Sequence, residues 1–514
     1  MAPSTPNPSW AHDDVVHAWW VIPGRLLAGE YPSSTEPETA TRKLHTLLDA
    51  GVDSFVDLTE EGENASSDPA LLRYDDILPI RHTRFPIPDF SVIDDAGYDD
   101  ILAHIRAELA EGRVVFVHCW GGTGRTGTVV GSWLIAEEGV GYPQVLDRLQ
   151  QLREGTGKAD RRAPEADEQA EVLRRRARPR DWFERLTGFV EDGHPAARLI
   201  VDRHELVSTV NGKRYSIGEL TLPTLAELRR RSPLDRGRRT RVSALVGDAR
   251  ALHADPEFEG ALFQVASQFN LLEMPAPHVT PEHGVTGYAH DHTQGPACAM
   301  AAGAATIYRN YFVPIGDSMG QTADRQVDAL AGLGAALAQL TGLPPGELWT
   351  MRNGYALCTA VGLTAINGAL GAATPELIDE LRGRLAIGLH RDVEVTDVSD
   401  HRQLVSQAFC SALPVGYSTL AQQDWEPFAR LVLEATYEAT LLACAEQAGG
   451  GGSDTVLLTR VGGGVFGNHP VWIDHALERA LAVVEHAGLD VRIVGHREVP
   501  PAVHGIIHRW NGGR

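Results

Sequence analysis

The segment His118–Gly127 combines residue types that can carry out phosphoryl chemistry. Cys119 and Arg125 have five residues between them, three of which are glycines. An apolar run ends at Val117 and a helical pattern begins near Arg125, so this turn connects a predicted strand to a predicted helix. Backbone amides that face inward at a helix N-terminus can bind a doubly charged anion. The segment therefore predicts a phosphate-binding loop.

The side chains of this loop suggest how a phosphate ester would react. The helix N-terminus and the inward amides favour the thiolate of Cys119, which can attack phosphorus to form a thiophosphate. Arg125 can hold two phosphoryl oxygens at once. The Thr126 hydroxyl can hydrogen-bond to the departing sulfur, and His118 orients the loop. We expect the phosphate to be bound by Trp120, Gly121, Gly122, Thr123, Gly124 and Arg125.

A proton donor for the leaving group is expected on another loop. Asp89 ends the stretch Phe85–Asp89, in which prolines on both sides of Ile87 stiffen the backbone. Such a loop can hold an acid over the pocket. We predict Asp89 as the general acid, with Asp94 and Asp95 as alternatives.

Residues 15–178 resemble the cysteine-dependent protein tyrosine and dual-specificity phosphatases. The resemblance rests on Val21–Pro32, the Asp89 loop, the Cys-x5-Arg-Thr-Gly loop and a later Arg162-x-Pro164-x4-Gln169 stretch. It implies a hydrolase that needs neither a metal nor a cofactor and acts on a phosphorylated protein or small molecule. The short domain suits the dual-specificity branch.

The family roles fall on residues that the loop chemistry already selected. The resemblance implies that Cys119 is the nucleophile, Arg125 the phosphate ligand, Asp89 the general acid and Thr126 the leaving-group helper. Trp120, directly after the nucleophile, departs from the family pattern and leaves the choice of substrate open. A phosphate-binding domain without turnover is the alternative interpretation.

Gly122–Gly127 also fits Gly-x-Gly-x-x-Gly, the pattern of dinucleotide-binding loops. That interpretation needs a second strand ending in an acid about 20 residues later. Residues 139–153 instead follow the pattern of a turn and a helix, which disfavours dinucleotide binding here.

A second glycine-rich loop, Gly462–Gly467, follows a predicted strand at 455–459 and precedes a helix that begins near Trp472. Its glycines allow the backbone to approach a diphosphate closely. Because another strand is predicted at 490–494, a nicotinamide-dependent dinucleotide unit is an open alternative for this half of the chain.

Together with Val246–Leu252 and Leu262–Asn270, this loop resembles that of a macrodomain, the ADP-ribose-binding fold, over residues 240–500. The resemblance implies that Asp248 binds adenine and that Asn270 faces the distal ribose. The diphosphate would contact Gly462, Gly463, Gly464, Val465 and Gly467, with Phe466 beside the ribose.

The match to that family is incomplete. Asn270 is followed by Leu-Leu-Glu273-Met-Pro instead of a glycine triplet, and no paired glutamates are found. Asp291 and Gln294 are polar candidates for that region. We expect an ADP-ribose-like ligand, with hydrolysis left open and a purely structural α/β domain as the alternative.

Four histidines lie close together in the sequence with Glu282 and Asp291: His278, His283, His290 and His292. Their spacing matches no helix-borne pair of metal ligands, so we predict a polar loop and no metal site. Cys298 and Cys410 lie in runs of small residues and are predicted to be buried, inert thiols.

The chain has 514 residues, a net charge of −22 and 43% hydrophobic residues, as in a globular protein of several domains. Its 5 scattered cysteines exclude a disulfide scaffold and suit a reducing compartment. No apolar run reaches about 18 residues, and Met1–Asp14 lacks a signal-peptide pattern. The excess of acidic residues disfavours nonspecific binding to nucleic acid. We therefore expect a cytoplasmic protein with neither a membrane nor a nucleic-acid partner.

Hydrophobic patterning predicts an α/β protein, with a phosphatase-type domain at 15–190 and a larger macrodomain-like domain at 196–514. Strands are predicted at 52–58, 114–117, 241–246, 261–265, 455–459 and 490–494. Helices are predicted at 98–109, 126–138, 145–152 and 472–486. The expected function is phosphomonoester hydrolysis fused to ADP-ribose or nucleotide binding. Two alternatives are a phosphotyrosine phosphatase with a scaffolding second domain and a binding protein without turnover.

Overall fold

The structure, a computed structural model, describes residues 10–67, 69–178, 181–398 and 401–512. The chain divides into two compact units, residues 1–179 and 180–514. Residues 181–190, which the sequence analysis assigned to the first domain, lie in the second unit. The reason is packing: Trp182, Phe183 and Leu186 are buried in a cluster that includes Leu272 and Ile307.

The first unit is built from short strands and longer helices. Its described strands are β1 (Ala18–Ile22), β2 (Leu26–Gly29), β3 (Ser54–Asp57), β4 (His82–Arg84) and β5 (Val115–His118). Its described helices are α1 (Pro37–Asp49), α2 (Asp95–Ala110), α3 (Arg125–Glu138), α4 (Tyr142–Arg153) and α5 (Asp167–Arg176). The predicted strands and helices of this region are all present, with ends shifted by a few residues.

These strands form one sheet in the order β1-β2-β5-β3-β4, parallel except for the edge strand β1. Side chains alternate between its faces. Val115 and Val117 pack against α2, α3, α4 and α5, whereas Phe116 packs with Leu44 and Leu47 of α1. The central strand β5 is therefore buried on both faces, and the loop that follows it has a rigid base.

The second unit is larger and also mixes strands and helices. Its described strands are β6 (Leu199–Asp202), β7 (Glu205–Ser208), β8 (Arg214–Ser216), β9 (Glu219–Thr221), β10 (Arg241–Val246), β11 (Leu262–Ala266), β12 (Pro314–Ile315), β13 (Ser318–Met319), β14 (Trp349–Arg352), β15 (Tyr355–Cys358), β16 (Gly388–Glu394), β17 (Leu404–Cys410), β18 (Thr455–Leu458) and β19 (Asp490–Gly495). Its described helices are α6 (Trp182–Thr187), α7 (Leu225–Arg231), α8 (Ala249–Ala254), α9 (Gln294–Ala301), α10 (Gly303–Tyr311), α11 (Ala331–Thr341), α12 (Pro345–Leu348), α13 (Ala360–Ala372), α14 (Pro375–Gly383), α15 (Glu426–Gly449), α16 (Pro470–Val483) and α17 (Pro501–Gly512).

Its main sheet has the order β10-β19-β18-β11-β17-β16-β9. The five strands from β10 to β17 are parallel, and β16 and β9 extend the sheet in antiparallel fashion. Leu262 of β11 packs in the cluster that contains α15 and α16, whereas Phe263 packs in the cluster with Ala305 of α10. Helices thus cover both faces of this sheet, as is usual for parallel strands.

Parallel strands place their carboxyl ends at one edge of a sheet, where α/β proteins bind ligands. Both glycine-rich loops lie at such an edge, one after β5 and the other after β18. No helix among the described residues is long and apolar enough to cross a membrane.

Candidate functional site

The loop between β5 and α3 presents the Cys119 sulfur to a backbone amide. Cys119 is buried, and the Gly122 N–H donates a hydrogen bond to its Sγ at 3.3 Å. Gly122 has a φ of +75°, and a Cβ there would lie 2.7 Å from the carbonyl carbon of Gly29 and from the Glu30 nitrogen. Only glycine fits this position, so the tight turn that surrounds the sulfur depends on it.

Arg125, the first residue of α3, is held by acidic groups from two other loops. Its Nη1 and Nη2 atoms donate to the Glu63 carboxylate at 2.7 and 2.6 Å, and Nη1 also donates to the Ile87 carbonyl at 3.0 Å. Nη2 lies 2.9 Å from Asp89 Oδ1. Although burial opposes the charge, Glu63, Cys119 and Asp89 keep the pKa of Arg125 above its usual value. The guanidinium is therefore a fixed cation at the mouth of the loop.

The structure brings Asp89, and neither of its alternatives, to this loop. The Asp89 side chain is 54% exposed and reaches Arg125 from the stiff proline-containing loop. Asp94 instead caps α2 by accepting from the Gly97 N–H at 2.8 Å. Asp95 pairs with Arg175 at 3.0 Å. Asp89 therefore remains the candidate proton donor.

His118 lies directly behind the loop and is fully buried. Its Nε2 lies 2.7 Å from the Tyr74 hydroxyl, and its Nδ1 lies 3.4 Å from the Cys119 carbonyl oxygen. Burial lowers the pKa of His118 to about 4, against the attraction of the Asp57 carboxylate. The ring is therefore neutral near pH 7 and supports the base of the loop. Because the side chain is fully buried, His118 cannot exchange a proton with a substrate.

Contacts from outside the motif brace the rest of the loop. Lys158 Nζ donates to the Gly121 carbonyl at 2.9 Å and to the Glu30 carboxylate at 2.6 Å. The Thr123 hydroxyl donates to Glu165 at 3.1 Å. Trp120 is half-buried, with its ring 6.0 Å from that of Tyr31.

Two further polar residues lie around this loop. The Thr126 hydroxyl donates to the Gly29 carbonyl at 3.4 Å and, among the contacts of the described residues, does not bond to the Cys119 sulfur. Its leaving-group role stays a prediction. Gln169 is buried, and a Cβ on Gly124 would approach its side-chain oxygen at 3.0 Å. The late Gln169 stretch therefore packs directly against the loop.

The second unit has a cavity of about 260 Å³ at the carboxyl ends of β11, β17 and β18. The residues that line it include one buried acid, three aromatic side chains and two glycines of the second loop: Glu273, Tyr355, Tyr417, Phe466, Gly462 and Gly464. Apolar walls with few polar groups are typical of a small-molecule site.

The Gly462–Gly467 loop is shaped by its neighbours. Gly462 has a φ of +79°, and a Cβ there would lie 2.5 Å from the Ala412 Cβ. Asn468 Nδ2 donates to the Leu413 carbonyl at 2.8 Å and anchors the far side. Of the predicted loop ligands, four line the cavity: Gly462, Gly464, Val465 and Phe466. Gly463 and Gly467 support the turn but are not among the lining residues.

Asn270 and Asp248 are placed differently from the expectation. Asn270 is fully buried outside this cavity, with Nδ2 donating to Gln326 at 3.0 Å and Oδ1 accepting from the Leu272 N–H at 3.1 Å. The Asn270 side chain closes its own loop and does not line this cavity, and its contact with a distal ribose stays a prediction. Asp248 caps α8 through the Ala251 N–H at 2.9 Å and lines a neighbouring cavity of about 610 Å³. Asp291 lines both cavities.

The remaining predictions for this unit concern its polar loop and its thiols. Gln294 lines the cavity, but its amide accepts from the Ala266 N–H and donates to the Gln264 carbonyl, so it also extends β11. Within the described residues no group of three metal-ligating side chains is present. Cys298 and Cys410 are buried as predicted, and burial raises the pKa of Cys410 to about 12.

Sequence reasoning missed several of the groups that complete the two sites. Glu63, which holds Arg125, lies in a short polar stretch without a recognisable pattern. Tyr355 and Tyr417 are separated from the glycine loop by tens of residues, and only folding brings them together. Glu273 was visible only as a departure from the macrodomain pattern.

Comparison with known proteins agrees with the geometry of the first unit. Residues 17–180 match the family model described as PTP-SAK, the Swiss Army Knife protein with a DSP-PTPase phosphatase domain. The first unit is therefore a domain of the dual-specificity protein tyrosine phosphatase type. Domains of this type act on phosphorylated substrates.

Several solved structures are similar to the same part of the chain. The active form of Tk-PTP is 29% identical, covering 31% of this chain and 95% of its own, with a TM-score of 0.25. TpbA of P. aeruginosa is 21% identical over 33% of this chain and 96% of its own, with a TM-score of 0.24. Kinase associated phosphatase, solved with a serine in place of its catalytic cysteine, is 22% identical over 31% of this chain and 92% of its own, with a TM-score of 0.27.

Proposed function

We propose that the first unit hydrolyses phosphomonoesters through a thiophosphate intermediate on Cys119. The observation that carries this proposal is the convergence on one loop of a buried sulfur, an inward amide and a fixed cation. Gly122 donates to the sulfur at 3.3 Å, and Arg125 stands at the first turn of the following helix. Such an arrangement can bind a phosphate dianion and stabilise a thiolate.

The first step transfers the phosphoryl group to the enzyme. The Cys119 thiolate attacks phosphorus, the bond from phosphorus to the ester oxygen breaks, and Asp89 donates its proton to that oxygen. Arg125 binds two of the phosphoryl oxygens and stabilises their charge. In the structure without ligand, the Asp89 carboxylate lies 2.9 Å from Arg125, so an incoming phosphate would compete with it for the guanidinium.

The second step returns the enzyme to its starting state. Water attacks phosphorus, Asp89 accepts a proton from that water, and the bond from sulfur to phosphorus breaks. The Gly122 N–H stabilises the thiolate that departs, and Thr126 is proposed to assist it. Inorganic phosphate then leaves, so the thiolate and the protonated acid are restored.

Turnover of a generic aryl phosphate in the presence of EDTA tests this mechanism. We expect wild-type protein to turn over the ester and the Cys119→Ser variant to bind phosphate without turnover. The Cys298→Ser variant is the matched control, since that thiol is buried in the other unit. Equal rates in wild type and Cys119→Ser would overturn the mechanism. Orthovanadate, a phosphate mimic, should inhibit, whereas a chelator should not.

We also propose that the second unit is macrodomain-like and binds an ADP-ribose-like or other nucleotide ligand. The support is a cavity at the carboxyl ends of parallel strands, bordered by Gly462, Gly464 and Phe466. The phosphatase substrate would then include phosphorylated small molecules, such as a phosphomonoester of ADP-ribose, as well as phosphoproteins. The protein is expected to act in the cytoplasm.

Calorimetric titration with ADP-ribose tests the second part. Binding that saturates below millimolar concentration supports it, and no heat at millimolar concentration would overturn it in favour of a scaffold. A fluorescence change with a reduced nicotinamide cofactor would favour the dinucleotide alternative. A panel of phosphopeptides and nucleotide phosphates, compared by kcat/KM, separates a phosphotyrosine phosphatase from an enzyme for small molecules.

A further inference from the structure

The cavity of the second unit contains a buried carboxyl group whose oxygens have no partner in the described part of the chain. Glu273 is 2% exposed and lines the cavity, and neither Oε1 nor Oε2 forms a hydrogen bond there. Buried polar atoms nearly always have a partner, because leaving them unpaired is costly. An unpaired carboxyl group in the wall of a cavity therefore indicates a ligand that completes its hydrogen bonds.

Arg309 forms an ion pair with this carboxyl group but does not hydrogen-bond to it. Arg309 Nη2 lies 3.8 Å from Glu273 Oε1, beyond hydrogen-bond distance. The guanidinium instead donates to the Leu271 carbonyl at 3.2 Å and to the Thr306 hydroxyl at 2.9 Å. Its position is fixed by these bonds and by the Phe409 ring, whose centroid is 3.8 Å away. Arg309 supports the cavity wall without satisfying the acid.

The groups around Glu273 favour its neutral form. Burial raises the pKa of Glu273 to about 8, against the attraction of Arg309 and the contact with Tyr288. Cys298, from α9, is also fully buried, and its pKa is raised as well, so it brings no charge. His390, beside Arg309, has its pKa lowered by burial and is neutral. A neutral carboxyl group offers one donor and one acceptor at the same place.

Three aromatic side chains form part of the wall of the same cavity. Tyr355 lies 5.1 Å from Tyr417 and 5.3 Å from Phe466, measured between ring centroids, and all three side chains line the cavity. Flat apolar rings suit the C–H face of a sugar, whose hydroxyl groups then need polar partners elsewhere. A pair of neighbouring hydroxyl groups can donate to and accept from a neutral carboxyl group.

We propose that Glu273 is the specificity-determining residue of this cavity and that it hydrogen-bonds to the hydroxyl pair of the second ribose, the sugar beyond the diphosphate. This proposal rests on the nucleotide-binding function proposed above. The phosphates of the same ligand would lie against the Gly462–Gly467 loop. The class of ligand is then a nucleoside diphosphate that carries a further sugar, and ADP-ribose should bind better than ADP.

Calorimetric titration of full-length protein with ADP-ribose and with ADP at pH 7 tests the contact. We expect Glu273→Ala to weaken ADP-ribose binding about tenfold or more and to leave ADP binding unchanged. Glu273→Gln keeps a donor and an acceptor and should retain most of the affinity. The matched control is Glu282→Gln, on the same connection between β11 and α9 but outside the residues that line the cavity. Thermal melting of every variant confirms that it folds.

The pH dependence of binding distinguishes recognition by a neutral acid from a merely structural role. Glu273 ionises above its pKa of about 8, so the wild type should bind ADP-ribose about tenfold more weakly at pH 9 than at pH 7. Glu273→Gln cannot ionise and should lose this dependence. The infrared carbonyl band of a protonated carboxylic acid, present in the wild type and absent in Glu273→Gln, checks the neutral form without any ligand.

The outcomes separate this inference from the function on which it rests. If the wild type binds ADP-ribose and Glu273→Ala binds it equally well, Glu273 is not the recognition residue and nucleotide binding stands. If Glu273→Ala and Glu273→Gln show the same pH dependence of ADP-ribose binding as the wild type, the proposed contact with a neutral acid is wrong. If the wild type binds no ADP-ribose, the proposed function fails, and ribose recognition fails with it.

Discussion

The Cys119 loop and the Gly462–Gly467 loop share a backbone arrangement but differ in the side chains that they present. Each follows a parallel strand in its sheet and precedes a helix, and each contains a glycine with positive φ where a Cβ would meet neighbouring atoms within 3 Å. The first loop adds a thiol and, at the first turn of the helix, an arginine. The second adds only an aromatic ring. The backbone arrangement can position an anion, but the side chains decide whether a bond is broken.

The two sites also differ in where their chemistry comes from. Cys119 and Arg125 lie within one short motif, with Asp89 on a neighbouring loop. Glu273 and the aromatic residues of the second cavity come from distant parts of the chain. The candidate catalytic residues of the first unit therefore lie close together in the sequence, whereas the lining of the second cavity is assembled only by folding.

The largest expected effect on a catalytic group other than the nucleophile is that of Asp89→Ala. Loss of a general acid should reduce kcat for an aryl phosphate by about 10²–10⁴. The decrease should be greatest for esters with poor leaving groups, because these most need a proton. Steady-state kinetics on a series of leaving groups provides the measurement.

The control for Asp89→Ala is Asp94→Ala, which removes a cap of α2 and leaves the loop acid in place. It should retain a near wild-type rate. A similar decrease of kcat in both variants, or a decrease that does not depend on the leaving group, would contradict the role of Asp89 as general acid.

Gly122→Ala should have the next largest effect, because it distorts the backbone turn of the first loop. Its Cβ would lie 2.7 Å from the Glu30 nitrogen, and a φ of +75° is unfavourable for alanine. Strain of about 1–3 kcal/mol should lower kcat/KM about tenfold to a hundredfold. Gly121→Ala, whose Cβ would meet only the Thr123 hydroxyl at 3.7 Å, is the matched control. Equal values of kcat/KM for the two variants would show that the turn does not require glycine at position 122.

Gly462→Ala is the corresponding change in the second loop. Its Cβ would lie 2.5 Å from the Ala412 Cβ at a φ of +79°, so the loop must move. We expect ADP-ribose affinity to fall about tenfold while phosphatase activity stays unchanged. Gly368, in α13, lies outside the residues that line the cavity, and a Cβ there would have no heavy atom within 4 Å, so Gly368→Ala should bind like the wild type. Titration calorimetry and the aryl phosphate assay on the same samples test this pair.

The smallest expected effect concerns the buried histidine behind the first loop. The pKa of His118 is lowered to about 4, so between pH 6.5 and pH 4 the unfolded chain binds a proton that the folded unit does not. The free energy of unfolding should therefore fall as the pH falls, by about 1.4 kcal/mol per pH unit from this residue. His118→Asn should flatten that slope in urea unfolding measured from pH 5 to pH 7.

His496→Asn is the control for this slope, because the His496 side chain is 66% exposed. It should leave the pH dependence of the unfolding free energy as in the wild type. Parallel slopes in wild type and His118→Asn would show that the buried ring does not contribute.

Local patterns predicted only part of the described secondary structure: the strands β3, β5, β10, β11, β18 and β19 and the helices α2, α3, α4 and α16. The strands at 115–118 and 455–458 and the helix that follows each loop were predicted from apolar runs and periodicity, which depend on near neighbours. The buried thiols Cys298 and Cys410 were also predicted from their small neighbours. The pairing of the Asn270 amide with Gln326 and Leu272 was not predicted, because residues this far apart show no joint pattern in the sequence.

The sequence by itself determined the dual-specificity phosphatase type of the first domain, because Cys119, the glycine turn and Arg125 lie within one short segment. Only the tertiary structure decided which acid meets Arg125, that Glu63 holds it, and that Glu273 faces an aromatic cavity. The physical reason is distance along the chain. Hydrogen bonds, burial and desolvation join residues that are tens of positions apart, and these interactions exist only after the sheets have formed.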